Sequence, residues 1–330
     1  MVARFCFVSG MVVATLVSVF ATFLHLVLLV AIAPAVLGFT QKIRARLLSF
    51  PGPPVRAPYR ELFRLLRKQT VGVENPSYLF LTAPLTAFSA TITLATLIPS
   101  FARGMATAPL ADLLVIFGLF LLAEAGLIVT ALNSGATVVG VNPSRLFMIL
   151  AFSMPSIFLL LLVFAFLTGS TNLDLIAGFV GNGGVAVWPR LVMAAAAIIC
   201  IGIAWHFEFS ACSTSTLVGI SPWEAIWREY SAASLALIKF TLICLRTLWL
   251  TLFGTVFMPF WLSESQAGLV SWLKGIVGWG TRLFIFAIAL GTLEAYFTGL
   301  RSDRVRKLLV FGVIVAFLAC FVAFLGEATE

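Results

Sequence analysis

The chain has 330 residues, of which 61% are hydrophobic and 10% charged, with 21 Lys and Arg against 13 Asp and Glu. A soluble domain usually carries about 25% charge, so this composition excludes a soluble globular protein and points to an all-α polytopic membrane protein. The net charge of +8 does not indicate nucleic acid, because the basic residues gather between apolar runs, where membrane topology accounts for them.

A spanning helix needs about 20 apolar residues. Eight runs qualify, at roughly 8–37, 78–100, 110–132, 146–168, 188–207, 234–261, 271–296 and 306–325. The first is too long for a secretory signal, and no small-residue cleavage site follows its core. No repeat or linker divides the chain, so residues 1–330 read as one integral membrane domain.

Between the first two runs lies the longest polar segment, 39–77. From Gly38 to Gly72 it holds eight of the 21 Lys and Arg and one acid, Glu61. Lys and Arg are retained on the cytoplasmic side. With this loop cytoplasmic, 133–145, 208–233 and 297–307 follow, and these loops together hold fourteen Lys and Arg against four on the other side. The expected topology is therefore eight spans in the cell inner membrane with both termini outside the cytoplasm.

Within the loop, Leu62, Leu65, Leu66 and Gln69 follow helical spacing, with Arg60, Arg64, Arg67 and Lys68 on the other side. Tyr59 to Gln69 thus reads as an interfacial helix, entered at Pro58. It can lie on anionic lipid, dock a cytoplasmic partner, or do both. The segment 169–187, rich in Gly and Asn with one acid, Asp174, reads as a surface loop without chemistry. The small residues of 131–141 predict a tight turn and close helix packing.

Five cysteines show no CxxC or other metal spacing, and His25 and His206 are far apart. A haem or zinc site built by this chain alone is not expected. Ionisable residues inside the spans are candidates for function because they are expensive there. They are Glu124, Arg246, Arg282 and Glu294, with His25 in the first run. Lys239 and Arg246, seven residues apart, share one helix face. Two readings stay open: a polar axis through the bilayer, or a structural pairing of Glu124 with an Arg or with a neighbouring subunit. For His25 alone, a satisfied buried histidine is the commoner outcome.

The basic loop also carries a family resemblance. Gly38, Thr40, Arg44-Ala45-Arg46-Leu47, Gly52-Pro53, Val55, Tyr59-Arg60, Leu65-Leu66, Gln69 and Val71-Gly72 fall in register with one known loop. It is the first cytoplasmic loop of the membrane subunit of formate hydrogenlyase and related group 4 hydrogenases. That family is homologous to subunit 1 of respiratory complex I, and the resemblance extends over almost the whole chain. It implies a non-catalytic anchor subunit of an oxidoreductase complex. Iron–sulfur and nickel–iron centres would sit in soluble partner subunits, antiporter-like membrane subunits would flank it, and no cofactor would sit in this chain. Docking would fall to Arg44, Arg46, Gly52, Pro53, Tyr59, Arg60, Glu61 and Arg145. Glu208, Glu229 and Glu294 also match the family's segments.

Acids are where the resemblance breaks. Relatives carry an Asp where this chain has Asn133, and Glu where it has Leu146 and Met154. Their acid-rich third cytoplasmic loop is replaced by 210–223. A carboxylate can exchange a proton, whereas Asn, Leu and Met cannot. The implied role is an anchor whose proton handling is weak or altered, resting on Glu124, Glu208, Glu229 and Glu294, with Arg246 and Arg282 as ion-pair partners. Quinone chemistry is not implied. The competing readings are a free-standing secondary transporter, which would show inverted repeats, and a purely structural scaffold.

Overall fold

The computed structural model describes residues 2–69, 78–132, 137–206, 230–265 and 268–296, and from the last apolar run residues 307, 310–318 and 321. Helix α1, Val2–Leu47, is 46 residues long. At ~1.5 Å per residue it far exceeds the ~30 Å hydrocarbon core. Its last turns, which carry Lys42, Arg44 and Arg46, therefore project beyond the apolar layer. The expected loop thus begins later than predicted. Residues 41–47 contain no Gly or Pro, and Arg, Lys, Gln and Leu are good helix formers. Their charge marks the membrane boundary and not the helix end.

Helix α2, Ala57–Leu66, follows, with Pro58 in its first turn. The expected helix at 59–69 is present but begins two residues earlier and stops three residues sooner. Next come α3, Tyr78–Leu97, α4, Leu113–Leu132, and α5, Thr137–Thr168. A short helix α6, Leu173–Gly181, precedes α7, Val187–His206. Helices α8, Ala232–Phe257, and α9, Leu269–Tyr296, complete the described bundle. Among the described residues, α1, α3, α4, α5, α8 and α9 are long and apolar enough to cross a membrane, and α7 adds the shorter apolar stretch Val187–Cys200. Seven of the eight expected spans thus correspond to helices. Of the eighth, residues 310–318 are helical and the rest lie partly outside the described residues.

Helix α8 is the centre of the core. Every residue from Thr241 to Phe257 is buried, as expected of a helix that is apolar on all sides. Its buried hydroxyls bond back along the helix: Thr241 to Leu237 O at 2.8 Å, Thr247 to Ile243 O at 3.0 Å and Thr251 to Thr247 O at 2.8 Å. Trp249 stacks on Phe120 of α4 with centroids 3.8 Å apart.

The segments leaving α3, α5 and α8 and those entering α4 and α9 gather at one end of the bundle. There β1, Ala102–Arg103, pairs in parallel with β2, Ser263–Glu264. Asp112 bridges to Asn172, and Leu173 N donates to Ala111 O at 2.8 Å. The segment 169–187 is therefore not a plain surface loop. Asn172 caps α6 by accepting from Asp174 N at 3.0 Å, and Asp174 Oδ2 accepts from Gly104 N at 2.6 Å. Burial raises the pKa of Asp174, while the Gly104 bond and nearby Arg103 oppose the rise. The opposite end, where α1 finishes beside α2, is the basic end.

Candidate functional site

At the basic end, α1 stops where Ser49 turns left-handed at φ 64° and Phe50 N closes on Ala45 O at 2.8 Å. Gly52 follows at φ 70°. The chain then folds back so tightly that a side chain on Gly38 would place its Cβ 2.3 Å from Val55 O. Glycine at 38 is what lets residues 48–56 pack along α1 and deliver α2 against it. Tyr59 then donates its hydroxyl to Ala31 O of α1. Burial raises the pKa of this phenol, so it stays protonated and able to donate. Glu61 of α2 pairs with Lys239 of α8. Leu65 is buried and Leu62 packs toward Ala33, Ile243 and Cys244, whereas Arg60 and Arg64 are exposed. Beside them Arg46 is exposed, as are Leu47 and Phe50 at 55% and 67%.

Deeper at the same end, three charged residues from three helices come within electrostatic reach. They are Arg44 of α1, Arg246 of α8 and Glu294 of α9. Arg246 and Glu294 are buried. Helix α9 can bring its carboxyl here because Gly291, one turn earlier, lies against Thr40 and Ile43 of α1. A Cβ at 291 would meet Ile43 Cγ2 at 3.1 Å and Thr40 O at 3.2 Å. The cytoplasmic arginine, the mid-span Arg246 and Glu294 near the end of its span thus form one cluster linking the basic loop to the core.

The remaining ionisable groups sit apart. Arg282 is fully enclosed and donates to three carbonyls: Ser100 O at 2.6 Å, Gly278 O at 3.2 Å and Gly254 O at 3.4 Å. His25 Nε2 donates to Ala95 O at 2.7 Å, which leaves Nδ1 to accept from the Ser100 hydroxyl. His25 is thus a satisfied buried histidine. Glu124 of α4 makes no ion pair with either arginine among the described residues. The Trp249 indole is the donor beside it, yet Glu124 Oε2 and Trp249 Nε1 close no hydrogen bond. Among the described residues Glu124, Arg282 and His25 thus close no ion pair or hydrogen bond with one another. No group of three or more His, Cys, Asp and Glu among the described residues could hold a metal ion.

A family model described as NADH dehydrogenase matches residues 19–325. The chain belongs to this family, whose members resemble subunit 1 of complex I. It is 28% identical over 324 residues to formate hydrogenlyase subunit 4 of Escherichia coli (strain K12), covering 94% of this chain and 99% of that protein. Hydrogenase-4 component C of the same organism is 28% identical over 235 residues, covering 71% and 73%. Among solved structures, a chain of the membrane-bound sulfane sulfur reductase, an archaeal respiratory membrane complex, superposes with a TM-score of 0.73. It is 18% identical and covers 93% of this chain and 99% of its own. The NADH dehydrogenase family fold therefore extends across almost the whole chain.

Among the family positions singled out in the sequence, Glu208 and Glu229 lie outside the described residues, as does the side chain of Arg145. The backbone places Arg145 inside α5 and not in a loop, because α5 begins at Thr137. Tyr230, next to Glu229, stacks on Phe80 at 4.2 Å and donates to Phe80 O at 3.2 Å. Sequence reasoning missed the Glu61–Lys239 pair and the approach of Arg44 to Arg246 and Glu294. The shared face of Lys239 and Arg246 was the available signal, since both turn toward the basic end.

Proposed function

We propose that this chain is the membrane-anchor subunit of a hydrogenase-like or complex I-like redox assembly. Its basic end would dock a soluble arm that carries the iron–sulfur and nickel–iron centres, and its flanks would join antiporter-like membrane subunits. The observation that carries this reading is the basic end itself. Exposed Arg46 and Leu47 end α1, exposed Phe50 follows, and exposed Arg60 lies on α2, across a turn fixed by Gly38 and Gly52. Exposed aromatic and Arg side chains on a rigid frame are what partner surfaces use as anchors. Family membership and the names of the relatives support the same assignment.

Beneath the docking surface, Arg44, Arg246 and Glu294 supply a charged link from the loop to the core. A change of charge in the soluble arm would be felt first at Arg44 and then at Glu294. With Asn133, Leu146 and Met154 in place of acids, Glu294, Glu208, Glu229 and Glu124 are the carboxylates left to handle protons.

Truncating one partner of a buried interfacial charge pair costs ~2–5 kcal/mol. The Arg46→Ala/Arg60→Ala double variant is expected to release the soluble arm in mild detergent, read by co-purification of the iron–sulfur subunit. An intact, active assembly would reduce α2 to a lipid-facing helix. The same reading places the chain in the cytoplasmic membrane with both termini outside. Reporters fused before Met1 and after Glu330 are expected to read as external, and a cytoplasmic signal from either would overturn the topology.

A further inference from the structure

The face formed by α4 and α5 carries a groove of about 410 Å³. Its walls include Phe117, Leu121, Ala125, Phe147 and Met154, and among its lining residues only Glu124 is ionisable. Glu124 is 3% exposed, and its Oε2 has no hydrogen-bond partner. Around it the groove stays uncovered: Leu121, Leu132 and Phe147 are 42%, 58% and 66% exposed. A Cβ at Gly118, on the same helix, would meet nothing within 4 Å.

We propose that this groove seats a transmembrane helix of a neighbouring membrane subunit, and that this helix presents a Lys or Arg to Glu124. The inference rests on the anchor-subunit reading and names the surface through which the membrane arm joins. Depth is the first argument. Glu124 lies near the middle of the 20-residue helix α4, roughly 12 Å or more from either end at ~1.5 Å per residue. A lipid offers only hydrocarbon at that depth and would leave the carboxyl unsatisfied, which is costly in a medium without water. A second copy of this chain, seated by two-fold symmetry, would bring a second Glu124 to the first. At most one of two carboxyls in contact ionises, so self-association offers a shared proton and no counter-charge. A helix that fills the apolar walls and carries one cationic side chain satisfies both the groove and the carboxyl. Intramembrane charges pair with one another in this way.

The test uses the intact assembly. A photo-crosslinking phenylalanine analogue replaces Phe147, which is exposed on the groove rim. The expected adduct joins a membrane subunit that co-purifies stoichiometrically, at a span holding one Lys or Arg. A second variant, Glu124→Leu, gives effects of opposite sign. It is expected to keep or raise the melting temperature of the purified chain, because an unpartnered carboxyl is removed from an apolar site. In the assembly it is expected to reduce retention of the membrane partner by roughly tenfold or more, with the soluble arm still bound. Glu124→Gln should fall between the two.

Adducts with lipid alone or with a second copy, while the soluble arm is retained, overturn the groove assignment. So does a Glu124→Leu chain that keeps its membrane partner, or one that unfolds when purified alone. A parent chain that carries no companion subunit overturns the anchor reading and this inference with it.

Discussion

Replacing Arg282 with leucine is expected to lower the melting temperature of the purified chain and its steady-state level in the membrane. The reason is where its three acceptors stand. Gly254 is one of the last four residues of α8, so its carbonyl has no partner within that helix. Ser100 lies beyond the end of α3, and its carbonyl is also outside helical bonding. Arg282 donates to both, at 3.4 Å and 2.6 Å, from inside the protein where water cannot substitute. A buried carbonyl left unsatisfied costs ~1–3 kcal/mol. Two such groups set the expected loss at roughly 2–6 kcal/mol, reduced by whatever is recovered from no longer burying the guanidinium.

Lysine at 282 is not a conservative replacement. One ammonium on a flexible stem cannot reproduce a planar fork that reaches two carbonyls at once. Arg282→Lys is therefore expected to recover only part of the loss. Ser100 connects this bracket to a second one, because its hydroxyl donates to His25 of α1. Helices α1, α8 and α9 and the end of α3 are thus tied through Ser100 and Arg282. The outcome that would sink this account is an Arg282→Leu chain that melts as the parent does but loses redox turnover. That result would make Arg282 part of a charge path and not a bracket.

The seven apolar runs that became helices were legible because hydrophobic length is a strong signal, and the basic loop was legible because its charge is asymmetric. The misses have specific physical causes. Helix α1 continues through Arg44 and Arg46, since charge ends the membrane layer but not a helix of good formers. Helix α6 carried its own start signal, an Asn cap followed by an acid in the first turn, but the Gly and Asn around it read as loop. Arg282 and His25 stood out because ionisable groups in spans are expensive, and for His25 the commoner outcome, a satisfied buried histidine, is what the structure holds. Their acceptors are mostly backbone carbonyls, which no residue pattern reveals. The pairing of Glu61 with Lys239 joins positions 178 apart, and only the folded chain brings them together. Glu124 was visible as the one deep acid, while the uncovered groove beside it depends on how α4 packs on α5.

The second large effect is expected at Arg246 and Glu294. Both are buried, on α8 and α9, and each lies in the field of the other and of Arg44. Removing either one takes away an opposite charge from the field of the other at a buried place, which is destabilising. Arg246→Leu is expected to show that loss in thermal melts. Glu294→Leu should do the same, because it leaves two arginines facing each other, although Arg44 is only half-buried and can turn partly toward water. The double variant is expected to melt closer to the parent than either single one, since apolar replacement of a whole buried pair is often neutral or stabilising. The cycle should return a coupling of roughly 1–3 kcal/mol, the size found for residues in one network. A zero coupling energy would mean that the two charges do not act as a unit. Stability and function are then separable in the double variant. It keeps the exposed docking residues Arg46 and Arg60, so the soluble arm should stay bound and redox turnover should persist. It lacks the only described carboxyl in the cluster that joins the loop to the core. Proton uptake in vesicles is therefore expected to fall relative to redox turnover. If uptake and turnover keep the parent ratio in a double variant that is stable and assembled, the cluster is a structural clamp, and the scaffold reading displaces the coupling role.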